Sequence, residues 1–129
     1  MPAHGEADPR APRSRGTAPR IGHRAGRVGS GIASRSFHGA DGGTEHFICV
    51  EAPGKLGLEA QIGLVQERYA AAQAALGLAP ETAVFRRLFL SDTLNQAARV
   101  RDSLLALDPP GSPVAVSIVQ QPPLPGAKI

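Results

Sequence analysis

Residues 58–80 read "LEAQIGLVQERYAAAQAALGLAP", and this stretch decides the fold. Leu58, Ile62, Val65, Tyr69, Ala72 and Leu76 recur at spacings of 4, 3, 4, 3 and 4. That period lays them along one face of an α-helix of about five turns. Gly77 suits the left-handed position just past a helix end, Leu78 can pack back on the last turn, and Pro80 forbids continuation. The alanines of "YAAAQAAL" favour helix and allow close approach to a sheet.

Outward from this helix, strands and helices alternate. Upstream, "EHFICVE" reads as a strand and "APGKLG" as the turn that follows it. Downstream, "TAVFRRLFLSD" has the β-branched and aromatic content of a strand. "SDTLNQ" opens a second helix: Thr93 and Gln96 have capping-box spacing, with Asp92 as the alternative cap. Leu94, Ala97, Val100, Leu104 and Leu107 mark its expected buried face, and "DPPG" ends it. "SPVAVSIV" is a further strand, with Val114, Val116 and Ile118 on one side and Ala115, Ser117 and Val119 on the other.

This order predicts a small α+β or α/β layer structure with two amphipathic helices on one face of a sheet. The opposite sheet face carries Phe85, Phe89, Ala115 and Val119, and no third amphipathic helix is available to cover it. An uncovered apolar face points to an oligomer interface.

Residues 1–36 differ in kind. Arg, Pro, Gly, Ser and Ala dominate, and no apolar period persists, so burial cannot offset the entropy of ordering. The segment is expected to be a disordered leader or an overlong start; a transit peptide or an RNA-binding arm are weaker alternatives. Residues 1–43 hold seven Arg against three acids, a charge of +4, whereas residues 44–129 hold seven Lys or Arg against eight acids, a charge of −1. The body of the chain therefore gives no electrostatic reason to expect a nucleic-acid partner. No apolar run approaches the ~20 residues of a membrane span, and a cytoplasmic location is expected.

The single cysteine, Cys49, excludes an internal disulfide and is expected to be a small buried hydrophobe. No zinc-ligand spacing occurs. His38 and His46 lie apart from carboxylates and read as surface or turn residues. Ser91 and Asp92, just before a helix, read as caps.

Three ordered segments, "EAQIGLVQERYAAAQAALGLAPETAVFRRLFLSD", "LNQAARVRDSLLAL" and "PVAVSIVQQPPLPGAKI", resemble the Rid family (also called YjgF, or endoribonuclease L-PSP). The resemblance covers roughly residues 45–129. It implies a chorismate-mutase-like sheet with two helices packed on one face, residues 37–129 forming the domain. It further implies a homotrimer with a small-molecule ligand in a cleft between subunits. The family's best-known activity is hydrolysis of enamine or imine intermediates to keto acids and ammonia, without a cofactor.

The functional residues carry over incompletely. In the family's deaminases an arginine on the penultimate strand holds the substrate carboxylate by charge-assisted pairing. With "LP" at Leu124–Pro125 as anchor, that position falls on Val116. Arg86 and Arg87, on another strand, read as edge or rim charges. The family's N-terminal aromatic has no match in "RSFHGADGG" beyond Phe37, which has no hydroxyl. The family's last-strand acid would fall beyond Ile129.

Ser117, Gln120 and Gln121 are the expected ligand-binding residues. The glutamines either hold a polar ligand through their amides or satisfy backbone groups where proline removes N–H donors. No catalytic residue and no metal ligand is assigned. A non-catalytic binding or structural module is the alternative to a deaminase. "GAKI" is expected to open the family's last strand, as in a shortened product or the front half of a tandem-domain protein.

Overall fold

The computed structural model describes residues 24–27, 31–106, 111–121 and 125–129. The strands are β1 (Arg24–Arg27), β2 (Ile32–His38), β3 (Thr44–Val50), β4 (Phe85–Leu90) and β5 (Ala115–Gln120). The helices are α1 (Leu58–Ala75) and α2 (Thr93–Arg101), and a 3-10 turn at Pro80–Thr82 precedes β4. Residues 1–23, the second helix's expected stop at 107–110 and the proline corner at 122–124 lie outside the described residues.

The architecture is α+β, with strands in two sheets and no closed barrel. This departs from the single sheet expected. β1, β2 and β3 form an antiparallel sheet, and β4 and β5 form a parallel pair. The parallel pair is joined through α2, as a crossover between parallel strands requires.

A second departure is upstream. β1 and most of β2 lie within residues 1–36, where composition suggests an irregular leader. β2 gains from its hairpin with β3: Ile32 and Ser34 are buried, opposite Val50 and Ile48. Small and polar residues leave a weak hydrophobic signal, whereas ladder bonds to β3 do not depend on side-chain type. The hairpin turn at Gly39–Gly43 is closed by a Gly39 N–H to Gly43 C=O bond of 2.8 Å and by Asp41, which accepts from Gly43 N–H at 3.0 Å.

α1 ends as its sequence predicts. Gly77 has φ 68°, its N–H donates to Ala74 C=O at 3.1 Å, and Leu78 N–H donates to Gln73 C=O at 2.9 Å. These paired bonds define a Schellman motif.

One apolar core joins all the layers. Ile62 and Val65 of α1 meet Leu88 and Leu90 of β4, Ala97 and Val100 of α2, Ala52, Leu105 and Ile129. Val50 of β3 and Val116 and Ile118 of β5 pack against this cluster. β2, β3, β4 and β5 thus turn their even-numbered residues to the helices and their odd-numbered residues away from them.

α2 differs in detail from its expected face. Ala97 and Val100 are buried, but Leu94 is 93% exposed and Leu104 70%. The helix stops at Arg101, so Leu105 rather than Leu104 turns into the core. A period extended past the true helix end assigns the wrong leucine. Its start is also corrected: Asp92 is the N-cap, accepting from Asn95 N–H at 3.3 Å, while Gln96 Oε1 accepts from Asp92 N–H at 3.0 Å. Thr93 is the first helical residue and is free to bond elsewhere.

Candidate functional site

β4 builds two different surfaces from consecutive residues. Leu88 and Leu90 point into the core, so alternation sends Arg86 inward and Phe85, Arg87 and Phe89 outward. The observed side chains obey this. Arg86 is half-buried, donates from Nη1 to the carbonyls of Leu104 and Leu105 at 3.3 and 3.2 Å, and lies 5.5 Å from the Tyr69 ring centroid. It fixes the chain just after α2 and is therefore not the rim charge expected from sequence.

Arg87 faces the other way. Its guanidinium carbon is 5.3 Å from the centroid of the Phe85 ring, a cation–π arrangement. The register sets Arg87 beside Ser117, Phe85 beside Ala115, and Phe89 beside Val119. The outward face of β4–β5 is thus an apolar floor carrying one guanidinium and one hydroxyl. Phe85 is 51% exposed.

Val116 does not belong to this face. It packs, half-buried, against the core beside Arg86. A ligand group on the outward surface of β5 meets Ala115 and Ser117, with Val116 turned away.

The expected ligand residues occupy different positions. Ser117 is mid-strand and half-buried, whereas Gln120 and Gln121 are exposed at the end of β5. Gln120 Oε1 accepts from the Thr93 hydroxyl at 2.6 Å, which ties the end of β5 to the start of α2. Gln121 contributes its backbone: its N–H donates to Leu90 C=O at 2.9 Å, continuing the parallel ladder.

Asp92 sits beside this corner. Its hydrogen bonds from Asn95, side chain first and backbone next, hold its carboxyl below the ordinary carboxylate range. Ser91 Oγ accepts from Gln96 Nε2 at 2.9 Å. Both residues thus serve the helix start. His38 Nδ1 lies 3.0 Å from Thr44 Oγ1, and His46 Nδ1 lies 2.8 Å from Ser36 Oγ, so each ring bridges the β2–β3 pair.

The outward face of the antiparallel sheet carries Phe47, 59% exposed, with its ring edge-on to Phe37 at 5.5 Å. Cys49 is on this same face and is exposed, contrary to the burial expected of it. Its odd-numbered position turns it from the core, while its neighbours Ile48 and Val50 turn inward. Partial desolvation and then the Glu51 carboxylate push its thiol above the ordinary value, which disfavours a nucleophilic thiolate.

Sequence reading missed Gln61. It is fully buried in the first turns of α1. Its Nε2 donates to Leu56 C=O at 2.8 Å, and its Oε1 accepts from Lys128 N–H at 2.8 Å and Ile129 N–H at 3.4 Å. The signal was its place between Leu58 and Ile62 on the apolar side of α1. A polar residue buried on a helix's inner face needs partners.

Among the described residues, no group of three His, Cys, Asp or Glu side chains could hold a metal ion, and no helix is long and apolar enough to cross a membrane. No family model, curated protein or solved structure matches the chain.

Proposed function

We propose that the chain is a Rid-like ligand-binding domain that assembles as a homotrimer through the outward faces of its strands. A small carboxylate-bearing molecule sits in a cleft between subunits. Turnover of imines is weak or absent. The observation that carries this reading is the outward β4–β5 face, where Arg87 stands over Phe85 and beside Ser117.

A guanidinium on an apolar floor suits a small organic anion. The cation pairs with the carboxylate while the rings contact the carbon skeleton. Arg87 therefore supplies, from the adjacent strand, the charge that Val116 cannot. Gln120 belongs to the helix-facing parity of β5, where Thr93 holds its amide, so Ser117 is the expected ligand residue that shares the outward face with Arg87.

Imine hydrolysis adds water to a C=N carbon, breaks the C–N bond and releases ammonia, leaving a ketone. The step needs a group that moves a proton to the departing nitrogen. Among the described residues, no carboxylate or histidine stands on the outward face of β4–β5. This favours binding over catalysis.

The test is direct. Calorimetric titration of the purified chain with 2-oxobutanoate should show saturable binding that Arg87→Ala weakens about tenfold or more, as loss of a charged hydrogen-bonding partner does. Ammonia release from an imine generated by an amino-acid oxidase should match the rate without protein. No binding by a folded chain, or rapid ammonia release that survives Arg87→Ala, overturns the reading.

A further inference from the structure

A groove of about 340 Å³ opens between α1 and the end of α2, within the range of small-ligand sites. Among the described residues, Glu59, Ile62, Gly63 and Gln66 line it from α1, and Arg99 and Asp102 from α2. It lies on the helix side of the strands, apart from the outward β4–β5 face, and does not depend on the ligand reading above.

Gly63 leaves the middle of this groove open. It is in the interior of α1, its φ is not positive, and a Cβ placed on it meets nothing within 4 Å. Glycine weakens a helix interior relative to alanine. Neither the backbone nor packing against a described residue calls for glycine here. Beside it, the buried Ile62 supplies an apolar floor.

The polar groups are arranged by sign. At one end Arg99 Nη2 pairs with Glu59 Oε1 at 2.6 Å, and both side chains are exposed. Such a pair contributes little to stability, so it opens at little cost. One turn on from Arg99 is Asp102, the C-cap of α2, where the helix end adds partial negative charge. Two turns on from Glu59 is Gln66. Neither Asp102 nor Gln66 has a side-chain hydrogen bond to a described residue. Two carboxylates against one guanidinium leave the groove with one net negative charge.

We propose that this groove binds a free basic amino acid such as lysine. The ligand's α-carboxylate takes Arg99 and its α-ammonium takes Glu59, so the opened ion pair is replaced by one at each pole. The aliphatic stem lies over Ile62 and Gly63. The side-chain ammonium reaches Asp102 and the Gln66 Oε1. Glu59 and Gln66 are about 10 Å apart along the helix axis, a span that an extended lysine covers with a hydrogen bond at each end. The net positive charge of lysine at neutral pH matches the net negative charge of the groove.

The experiment is calorimetric titration of the full chain with L-lysine. Binding should be saturable. Norleucine, which keeps the head and the stem but lacks the side-chain ammonium, should bind about tenfold more weakly or worse, as should lysine to Asp102→Asn. Gly63→Leu fills the open middle of the groove with a better helix former, so it should abolish binding while the chain stays folded by circular dichroism. No lysine binding by the folded wild-type chain overturns the proposal, as does equal binding of norleucine or binding that survives Gly63→Leu. Equal binding of lysine blocked at both its α-amine and its carboxylate assigns the groove to a lysine side chain of a polypeptide and also overturns it.

Discussion

Gln61 and Lys128 are 67 positions apart in sequence, and the Gln61 Oε1 accepts the Lys128 N–H at 2.8 Å. The same side chain donates to Leu56 C=O. One buried amide therefore ties the loop before α1 to the C-terminal residues. The amide itself is fully buried while its Leu56 and Lys128 partners are part-buried, so loss of the bonds is costly on the side that water does not reach.

Gln61→Met should destabilise the chain by about 1–3 kcal/mol, since methionine keeps the volume and leaves the buried Ile129 N–H and the part-buried Leu56 and Lys128 groups without this partner. Urea unfolding measures this as a lower midpoint. A change under about 0.5 kcal/mol, the usual range of neutral surface substitutions, would show that water or other groups satisfy these partners.

Two glycines should respond differently to alanine. At Gly77 a Cβ meets nothing within 4 Å, but φ is 68°. Gly77→Ala should cost about 1–2 kcal/mol from the left-handed backbone alone. At Gly54 the obstacle is the backbone of Pro125, Gly126 and Ala127. Gly54→Ala should displace the C-terminal segment. Amide exchange at Lys128 should then accelerate in Gly54→Ala and stay unchanged in Gly77→Ala; equal protection in both variants would contradict the close packing.

The helices were the legible part of the fold. α1 announces itself through six apolar positions and a glycine stop, and its observed end agrees with them. β2 was not legible, because "IASRSFH" has weak alternation and its order comes from pairing with β3. The division of the strands into two sheets depends on long-range pairing, which no local period encodes. The outward role of Arg87 was legible in principle: Leu88 and Leu90 fix the inward parity of β4. Treating Arg86 and Arg87 as one pair of rim charges hid the fact that they face opposite ways. Gln61 was hidden because a helical pattern is read from its apolar members.

Asp92 should make stability depend on pH in one direction. Its folded-state pKa is lowered, chiefly by the Asn95 side chain and then by the Asn95 backbone. A lowered pKa gives stabilisation that is fully present above the unfolded-state value and lost as pH falls through the folded value. The unfolding midpoint of the wild-type chain should therefore approach that of Asp92→Ala on acidification below the ordinary aspartate range. Parallel midpoints across that range would show that the cap contributes equally when protonated.

The outward faces of the strands should govern assembly. Phe85 and Phe89 flank Arg87 on β4–β5, and Phe47 is exposed on the neighbouring sheet. Both helices pack on the other side of the strands, so no described element of the chain covers these rings. Burial of such a face between copies is favourable by about 25 cal/mol per Å² of apolar area, and a carboxylate placed in it has no local partner to offset its desolvation. Sedimentation equilibrium at micromolar concentration should give the mass of a trimer for the wild-type chain and of a monomer for Phe89→Asp. Phe89 points away from the core, so the variant should keep the wild-type circular dichroism. A folded wild-type monomer would remove the argument that these strands face other subunits. A Phe89→Asp trimer would place the interface elsewhere, with the outward β4–β5 face left to the ligand alone.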